Sequence, residues 1–407
     1  MAHPSFADAK HELTITGVAT DGAGVGRLAD GRVAFVRGAL PGDRVLARVT
    51  DAKARVVFAD TELLLTPSSS RAESLCRVDA CDSCPFRQLS YEAQLSAKAD
   101  TVLQAFARIG RIDVSGVFHG ANRRMPYAPT NPWHYRHRVR LHAHHHGQWQ
   151  LGFFARGTHD VVSVDACPVV WPELEAAVRT FSLWLADKPA HWRVRDVEIA
   201  YSRRDQAAAA EVRAEGADLS DAPFGARRLR YDQSRPFDLM FEPGVFTQAN
   251  TDMNAQLVDA VIAATSGSPR VLELHAGIGN FSLPLALGGH HVRATEANRR
   301  ASYLATTNAC AAGLAIDTAT LSDAIAVNDA SDFDAVVMDP PRTGAREAAA
   351  VLATKGPPRL VYVSCDPATL ARDVQTLVAG GYRVTSLAAF DMFPQTPHIE
   401  SLAVLTR

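Results

Sequence analysis

The 407-residue chain is poor in three features that define special classes of protein. It has six cysteines, which are too few for a scaffold held together by disulfides. It has no apolar run of about 18 residues, which excludes a conventional membrane-spanning helix. It has no excess of basic residues, because its formal net charge is −2. Overall charge therefore provides no attraction to phosphate, and a nucleic-acid partner has to be argued from local chemistry.

The amino terminus also lacks the basic start, apolar middle and small-residue cleavage site of a secretory signal. We therefore expect a cytoplasmic protein with reduced cysteines and no membrane partner. We also expect it to be a monomer. The length exceeds that of one ordinary core, and changes in the sequence pattern predict three domains, at 1–67, 68–242 and 243–407.

The three domains differ in their predicted architecture. Residues 11–66 alternate short β-type runs with Gly, Asp and Pro turns, which predicts a barrel of about five strands. Residues 68–242 contain a helix over about 91–110 and are otherwise rich in strands. Residues 243–407 alternate strands with helices, which predicts a doubly wound, Rossmann-like parallel sheet. The predicted fold class is therefore α/β, with an added small β-barrel and a strand-rich central domain.

A nucleotide-cofactor loop is predicted at 271–281. A short apolar strand that includes Glu273 leads into a turn with Gly277 and Gly279, and Glu296 ends the next strand. Glycines allow a ligand to approach the backbone closely, and an acid at the second strand end can accept hydrogen bonds from ribose hydroxyls. Glu273, the single Gly-x-Gly and Glu296 together favour S-adenosylmethionine over a dinucleotide. The alternative is a purely structural strand-to-helix turn.

Two further predicted strands end in residues that could take part in catalysis. Asp339 follows the apolar run up to 338 and precedes two prolines, which restrict its loop. Cys365 follows another apolar run and stands close to a predicted helix start, where we expect the local field to favour a thiolate. The alternative for Cys365 is a small buried apolar residue. Strand ends that face a cofactor are where doubly wound enzymes carry out chemistry, which favours a nucleophile.

Four other cysteines suggest a metal site. Cys76, Cys81 and Cys84 are closely spaced, and Cys167 lies about 80 residues further on. Four thiolates can bind zinc or a [4Fe–4S] cluster. Their spacing favours neither.

Four segments, VLELHAGIGNFSLPLA, MDPPRTGA, YVSCDPATLARD and DMFPQTPHIESLAVL, together resemble the RNA 5-methyluridine (uracil-5-) methyltransferase family. The likeness extends over nearly the whole chain. It implies that Cys365 adds to carbon 6 of uracil and that Glu400 removes the proton from carbon 5. The chemistry is consistent, because carbon 5 is a poor nucleophile until a thiolate has added at carbon 6. The resemblance also implies that cofactor or active-site positions are occupied by Gln248, His275, Gly277, Gly279, Asn280, Glu296, Asp323 and Asp339. His275 and Ala276 stand where the family usually has an aromatic residue and a cysteine.

The resemblance has implications for cofactors and partners as well. It implies a [4Fe–4S] cluster on Cys76, Cys81, Cys84 and Cys167, with zinc as the alternative. It also implies a TRAM-like, RNA-binding barrel and a target uridine in 23S ribosomal RNA. The same reaction on transfer RNA is one alternative, and a non-catalytic iron–sulfur RNA-binding protein is another. Residues 133–146 interleave aromatic and basic side chains, which predicts a face for RNA.

Overall fold

The computed structural model describes residues 9–19, 21–119, 126–155, 158–163 and 166–407. The chain forms two compact units, of which the first contains Met1–Thr101 and Phe393–His398. The second contains Val102–Met392 and Ile399–Arg407. The domain boundaries at 67 and 242 stay a prediction. In the described part of the chain, no helix has both the length and the apolar character needed to cross a membrane.

The first unit begins with a closed five-stranded barrel, as predicted. Its strands are β1 Lys10–Val18, β2 Gly24–Arg27, β3 Val33–Arg37, β4 Arg44–Ala52 and β5 Val56–Thr66. They pair in the order β1-β2-β3-β5-β4, and β4 closes on β1. Alternate residues point inward, so side chains such as Ile15, Val36 and Val45 fill the centre.

A helix follows a loop over residues 67–90. Helix α1 spans Tyr91–Ala105, and a π-helical turn over Phe106–Gly110 extends it. The predicted helix therefore ends in a wider turn, and the left-handed residue that follows is Arg111, with φ 54°. Gly110 serves packing, because a Cβ there would lie 3.2 Å from the carbonyl oxygen of Ala371.

The second unit contains an antiparallel sheet of order β11-β10-β7-β8-β9. Helix α2 carries the buried side chains Leu174, Phe181 and Leu185. The elements up to residue 241 are β6 Phe118–His119, β7 Arg138–His146, β8 Gln148–Phe154, β9 Val161–Ser163, α2 Pro172–Ala186, β10 Arg193–Ser202, β11 Ala207–Glu215, β12 Leu229–Arg230 and β13 Met240–Phe241.

An eight-stranded sheet of order β16-β15-β14-β17-β18-β20-β19-β6 completes this unit. Strands β14 to β18 are parallel to one another, whereas β20 is antiparallel to both of its neighbours. Strands alternate with helices, so the predicted doubly wound, Rossmann-like sheet is confirmed. Its elements are α3 Thr251–Ala264, β14 Arg270–Leu274, α4 Ser282–Leu287, β15 His291–Thr295, α5 Arg299–Ala311, β16 Ile316–Ala319, α6 Asp323–Ala326, β17 Ala335–Met338, α7 Arg346–Lys355, β18 Arg359–Ser364, α8 Pro367–Ala379, β19 Arg383–Phe390 and β20 Glu400–Thr406.

Candidate active site

The predicted chemical residues meet at one edge of the eight-stranded sheet. His275, Glu296, Asp339 and Cys365 each come directly after a parallel strand, namely β14, β15, β17 and β18. Parallel strands end on the same side of a sheet, and ligands bind outside those carboxyl ends. Four segments that are far apart in sequence therefore contribute to one site.

Glu400 reaches this edge because β20 is antiparallel. Ser364 of β18 lies opposite Ser401 of β20. Continuing this register by one residue brings Cys365 opposite Glu400, with Cα atoms about 5 Å apart. Glu400 is 2% exposed, and among the described residues its Oε1 has no hydrogen-bond partner. A half-buried thiol and a buried carboxyl thus lie side by side.

A cleft opens at the same edge of the sheet. Gly279, Glu296 and Asp323, which the sequence also predicts as cofactor contacts, do not line it. The residues that line the cleft are Tyr231, Leu239, Phe246, Thr247, Gln248, Glu273, His275, Ala276, Gly277, Ile278, Asn280, Phe281 and Asp339.

The glycine turn has the shape that the sequence predicts. Gly277 has φ 58°, and its N–H donates to Glu296 Oε2 at 3.0 Å. Glu296 Oε1 accepts from the Asn298 N–H at 2.7 Å. Gly279 has φ 94°, and a Cβ there would lie 2.3 Å from Leu283 Cδ1. The turn therefore requires glycine at 279 both for its backbone conformation and for space.

Gln248 is held by two aromatic side chains that sequence reasoning did not place in the site. The Tyr231 hydroxyl donates to the Gln248 carbonyl oxygen at 2.8 Å. His137 Nε2 lies 3.2 Å from the same oxygen, and burial lowers the pKa of His137 to about 3. The ring is therefore neutral, and its Nε2–H donates. The Gln248 side chain points to Asp339, with Nε2 3.5 Å from Oδ2.

Two further side-chain pairs each include one residue that lines the cleft. Asn280 and Asn254 exchange amide hydrogen bonds of 2.8 and 2.9 Å. Asn254 was not predicted, although it stands four residues after Asn250 on one face of α3. His275 adopts φ 59°, and its Nε2 lies 3.4 Å from Asp323 Oδ2. The structure therefore brings Asp323 next to His275, although Asp323 lies outside the cleft lining.

The acids of the site are destabilised as anions. Burial raises the pKa of Glu273 to about 8, and the charges of Asp339 and Glu296 act in the same direction. Burial also raises the pKa of Asp339, against the hydrogen bond from Gln248. Burial raises the pKa of Glu400 well above its usual range, and Asp339 adds to this effect. The cleft and the adjoining carboxyl therefore favour positively charged ligands.

The expectation that Cys365 is a ready thiolate is wrong for the free protein. Burial raises the pKa of the Cys365 thiol to about 12, and the negative charges of Glu400 and Asp339 add to the increase. Only the guanidinium of Arg342 and a backbone hydrogen bond oppose this effect. The start of α8 also stabilises a thiolate less than predicted, because the Asp366 side chain caps this helix. It accepts a hydrogen bond from the Thr369 N–H at 2.8 Å.

Three models of known protein families match parts of the chain. Residues 318–407 match the family model tRNA (uracil-5-)-methyltransferase, residues 9–61 match the TRAM domain, and residues 236–356 match the methyltransferase small domain. The fold is similar to the crystal structure of Pyrococcus abyssi tRNA (uracil-54, C5)-methyltransferase in complex with S-adenosyl-L-homocysteine, with a TM-score of 0.75. It is 23% identical and covers 97% of this chain and 99% of that chain, so it supports the fold.

Curated relatives match over almost the full length. The 23S rRNA (uracil(1939)-C(5))-methyltransferase RlmD of Halomonas elongata is 35% identical, with 98% of this chain and 90% of that protein covered. RlmD of Pseudomonas putida is 33% identical, with 97% and 93% covered. The chain belongs to the TRAM-containing RNA (uracil-5-)-methyltransferase family. The predicted family membership is thereby confirmed, as is the prediction of an RNA methyltransferase.

A methyltransferase of this family depends on S-adenosylmethionine, and the acids of the cleft suit the positive groups of that cofactor. Two buried or half-buried acids, Glu273 and Asp339, line it, and burial raises the pKa of each. The cofactor carries a sulfonium and an ammonium group, both positive. Opposite charges favour the ionised form of a buried acid. The positive groups of the cofactor would therefore favour the ionised forms of these two acids.

The predicted cysteine ligands are divided between the two units. Cys76, Cys81 and Cys84 lie in the loop of the first unit, where Arg87 donates to the Cys81 carbonyl oxygen at 2.9 Å. Cys167 belongs to the second unit. Within the described ranges, no three His, Cys, Asp or Glu side chains are arranged to hold a metal ion. The donor types fit a metal or cluster, whereas the positions of the side chains do not define one.

Part of the predicted RNA face is internal. His137 is completely buried, and Tyr135 is 5% exposed. Arg138 is half-buried, and it donates to Glu198 Oε1 at 2.9 Å and to the Val245 carbonyl oxygen at 3.1 Å. Tyr135 and His137 precede β7, whereas Arg138, Arg140 and His142 alternate with the buried Val139 and Leu141 and therefore share one face of the strand. Arg140 is the first residue of this face that is exposed.

Proposed function

We propose that this protein transfers a methyl group from S-adenosylmethionine to carbon 5 of a uridine in 23S ribosomal RNA. The observation that carries the proposal is the register that brings Cys365 opposite Glu400 beside the cofactor cleft. A neighbouring thiol and carboxyl at a cofactor edge provide a nucleophile and a base. The RlmD relatives, which match 97% or more of the chain, support 23S ribosomal RNA as the substrate.

The bond changes assign one role to each side chain. Cys365 Sγ adds to carbon 6 of the uracil ring, and the resulting enolate uses carbon 5 to form the new carbon–carbon bond. Glu400 then takes the proton from carbon 5. The electron pair of that C–H bond restores the C5=C6 double bond and expels the Cys365 thiolate. The products are 5-methyluridine and S-adenosylhomocysteine, with one proton released.

S-adenosylmethionine, when bound, supplies an electrophilic methyl group on a positive sulfonium. Asp339 lines the cleft and also adds to the raised pKa of Cys365 and Glu400, so it is close to both the cofactor space and the catalytic pair. We assign Asp339 to orienting both substrates. The residues proposed to hold the cofactor are Gln248, His275, Gly277, Gly279, Asn280, Glu296, Asp323 and Asp339.

The experiment that tests the function uses RNA in which 5-fluorouridine replaces uridine. Fluorine on carbon 5 cannot leave as a proton, so the methylated adduct on Cys365 is trapped and survives a denaturing gel. We expect an adduct with 23S ribosomal RNA fragments that is lost in Cys365→Ala and retained in Cys310→Ala, a control at an exposed cysteine. An adduct only with transfer RNA would change the substrate, and no adduct with either RNA would refute the proposed reaction.

We infer further that Cys76, Cys81, Cys84 and Cys167 ligate a [4Fe–4S] cluster. The support is the donor set, because four cysteines match the ligands of such a cluster. Methyl transfer moves no electrons, so the cluster is assigned a structural role. Protein purified without oxygen should be brown and contain iron and sulfide, and Cys81→Ser should lose both. Stoichiometric zinc in a colourless protein would replace this assignment with a zinc site.

We also propose that the outward face of the antiparallel sheet contacts RNA. His142 and Phe154 stack with ring centroids 3.7 Å apart, and Phe154 remains 36% exposed. Arg140 stands beside them in β7, partly engaged by Glu198. An exposed aromatic surface next to a cation can stack on an unpaired base. Phe154→Ala should weaken RNA binding, and unchanged binding would remove this face from the interface. For the free protein we expect a monomer, which light scattering can test.

A further inference from the structure

The segment Phe393–His398 belongs to a different compact unit from the strands on either side of it. It connects β19 to β20, which both lie in the second unit, yet it is part of the first. The chain returns to the second unit at Ile399, and the next residue is Glu400. The backbone that leads to the proposed base therefore belongs to the unit that contains the barrel and most of α1.

Gln94 of α1 forms the first attachment of this segment. Its Nε2 donates to Gln395 Oε1, and its Oε1 accepts from the Gln395 N–H, each at 2.9 Å. Gln94 is 1% exposed and Gln395 is 2% exposed. The Phe86 N–H also donates to the Gln395 carbonyl oxygen at 3.0 Å. Buried amides that lose such partners carry a large desolvation cost, so this pairing strongly constrains the segment.

Lys98 forms the second attachment, one helical turn further along α1. Its side chain is 1% exposed, and its Nζ donates to the Phe393 carbonyl oxygen at 3.0 Å. Residues four apart lie on the same face of a helix, so Lys98 and Gln94 hold the segment from one side. A buried ammonium is costly unless polar groups compensate it, and the Phe393 carbonyl is one such group.

We propose that Gln94 and Lys98 are positioning residues that set the place of Glu400 relative to carbon 5 of the bound uracil. The proposal rests on the proposed function, because it takes Glu400 as the base. Glu400 acts only after the methyl group has been transferred. A loosened segment should therefore leave formation of the Cys365 adduct nearly intact and slow its release. A general structural role would instead affect RNA binding, adduct formation and release together.

The test follows the covalent adduct with unmodified uridine RNA in a single turnover. Wild type should show little adduct, because proton removal and release follow promptly. Gln94→Ala and Lys98→Met should accumulate it by about tenfold, since small misplacements of a catalytic group have large effects on rate. The dissociation constant for RNA should change by less than about threefold. Gln104→Ala, at an exposed position of α1, is the control and should resemble wild type.

Two further variants make the outcome decisive. Gln395→Ala removes the side-chain half of the same pair from the other partner, so it should accumulate adduct even where Gln94→Ala does not fold. Glu400→Gln should accumulate the most adduct. Accumulation in Glu400→Gln without accumulation in any folded Gln94, Lys98 or Gln395 variant would overturn the positioning role alone. No accumulation in Glu400→Gln, while 5-fluorouridine still traps Cys365, would instead overturn Glu400 as the base.

Discussion

Replacing the carboxyl of Glu273 by an amide should make the fold less sensitive to rising pH. Glu273 lies in β14, is 1% exposed and accepts a hydrogen bond from the Ser282 hydroxyl. Burial raises its pKa from the ordinary 4.5 to about 8, aided by the charges of Asp339 and Glu296. Glu273→Gln keeps the shape and an acceptor for Ser282 but cannot ionise.

The sign of the effect follows from proton linkage. In the unfolded chain Glu273 ionises near pH 4.5, whereas in the folded protein it keeps its proton up to about pH 8. Its contribution to stability is fully present below pH 4.5 and is lost as the pH rises through about 8. At ~1.4 kcal/mol per pKa unit, the gap of 8 minus 4.5 corresponds to a loss on the order of 5 kcal/mol.

The assay compares unfolding of the cofactor-free protein at pH 5.5 and 8.5. Most of the loss falls inside this window, so Glu273→Gln should gain about 3 kcal/mol relative to wild type between the two pH values. For a chain of this size the relative gain corresponds to roughly 2 °C in Tm for each kcal/mol. Glu347→Gln, at an exposed helix position, should show no such gain. Equal pH dependence in wild type and Glu273→Gln would refute a neutral buried carboxyl.

Three other predictions concern the site. Asp339→Asn removes a carboxylate beside Cys365, so the pKa of the thiol should fall. Alkylation of Cys365, followed by mass spectrometry, should then begin at lower pH, and an unchanged profile would contradict the electrostatic account. Tyr231→Phe removes the hydroxyl that donates to Gln248, which should weaken cofactor binding by about fivefold in calorimetry, and full affinity would show that this bond does not shape the cleft. S-adenosylmethionine should bind more tightly at pH 8.5 than at pH 6, because ionised Glu273 and Asp339 favour the sulfonium. The gain in affinity should be larger than that of S-adenosylhomocysteine, which lacks the sulfonium. An equal pH dependence of affinity for the two ligands would exclude this charge pairing.

The positions of the strand-end residues could be predicted from the sequence because they follow from local pattern and topology. Apolar runs place Asp339 and Cys365 at strand ends, and parallel strands bring their ends to one edge. The barrel was predictable for a similar reason, since alternation and turn residues repeat along 11–66. Both inferences use information contained within a few tens of residues.

Contacts across long sequence separations could not be predicted in this way. His137 supports the backbone of Gln248 across 111 residues, and Gln94 pairs with Gln395 across 301. The sequence pattern assigned His137 to an RNA face because it lies among aromatic and basic residues. His137 is instead buried in the structure. A local sequence pattern does not show which side chains will be covered by distant parts of the chain.

The protonation state of Cys365 was mispredicted because the position of a residue at a helix start does not by itself determine its pKa. A helix start contributes a partial positive charge that falls off within one turn, and here Asp366 occupies the cap. Burial and the neighbouring carboxyls of Glu400 and Asp339 act against it. The same folding that brings Glu400 opposite Cys365 therefore keeps the nucleophile protonated in the free protein. We therefore expect a positive charge in the cleft to lower the pKa of Cys365.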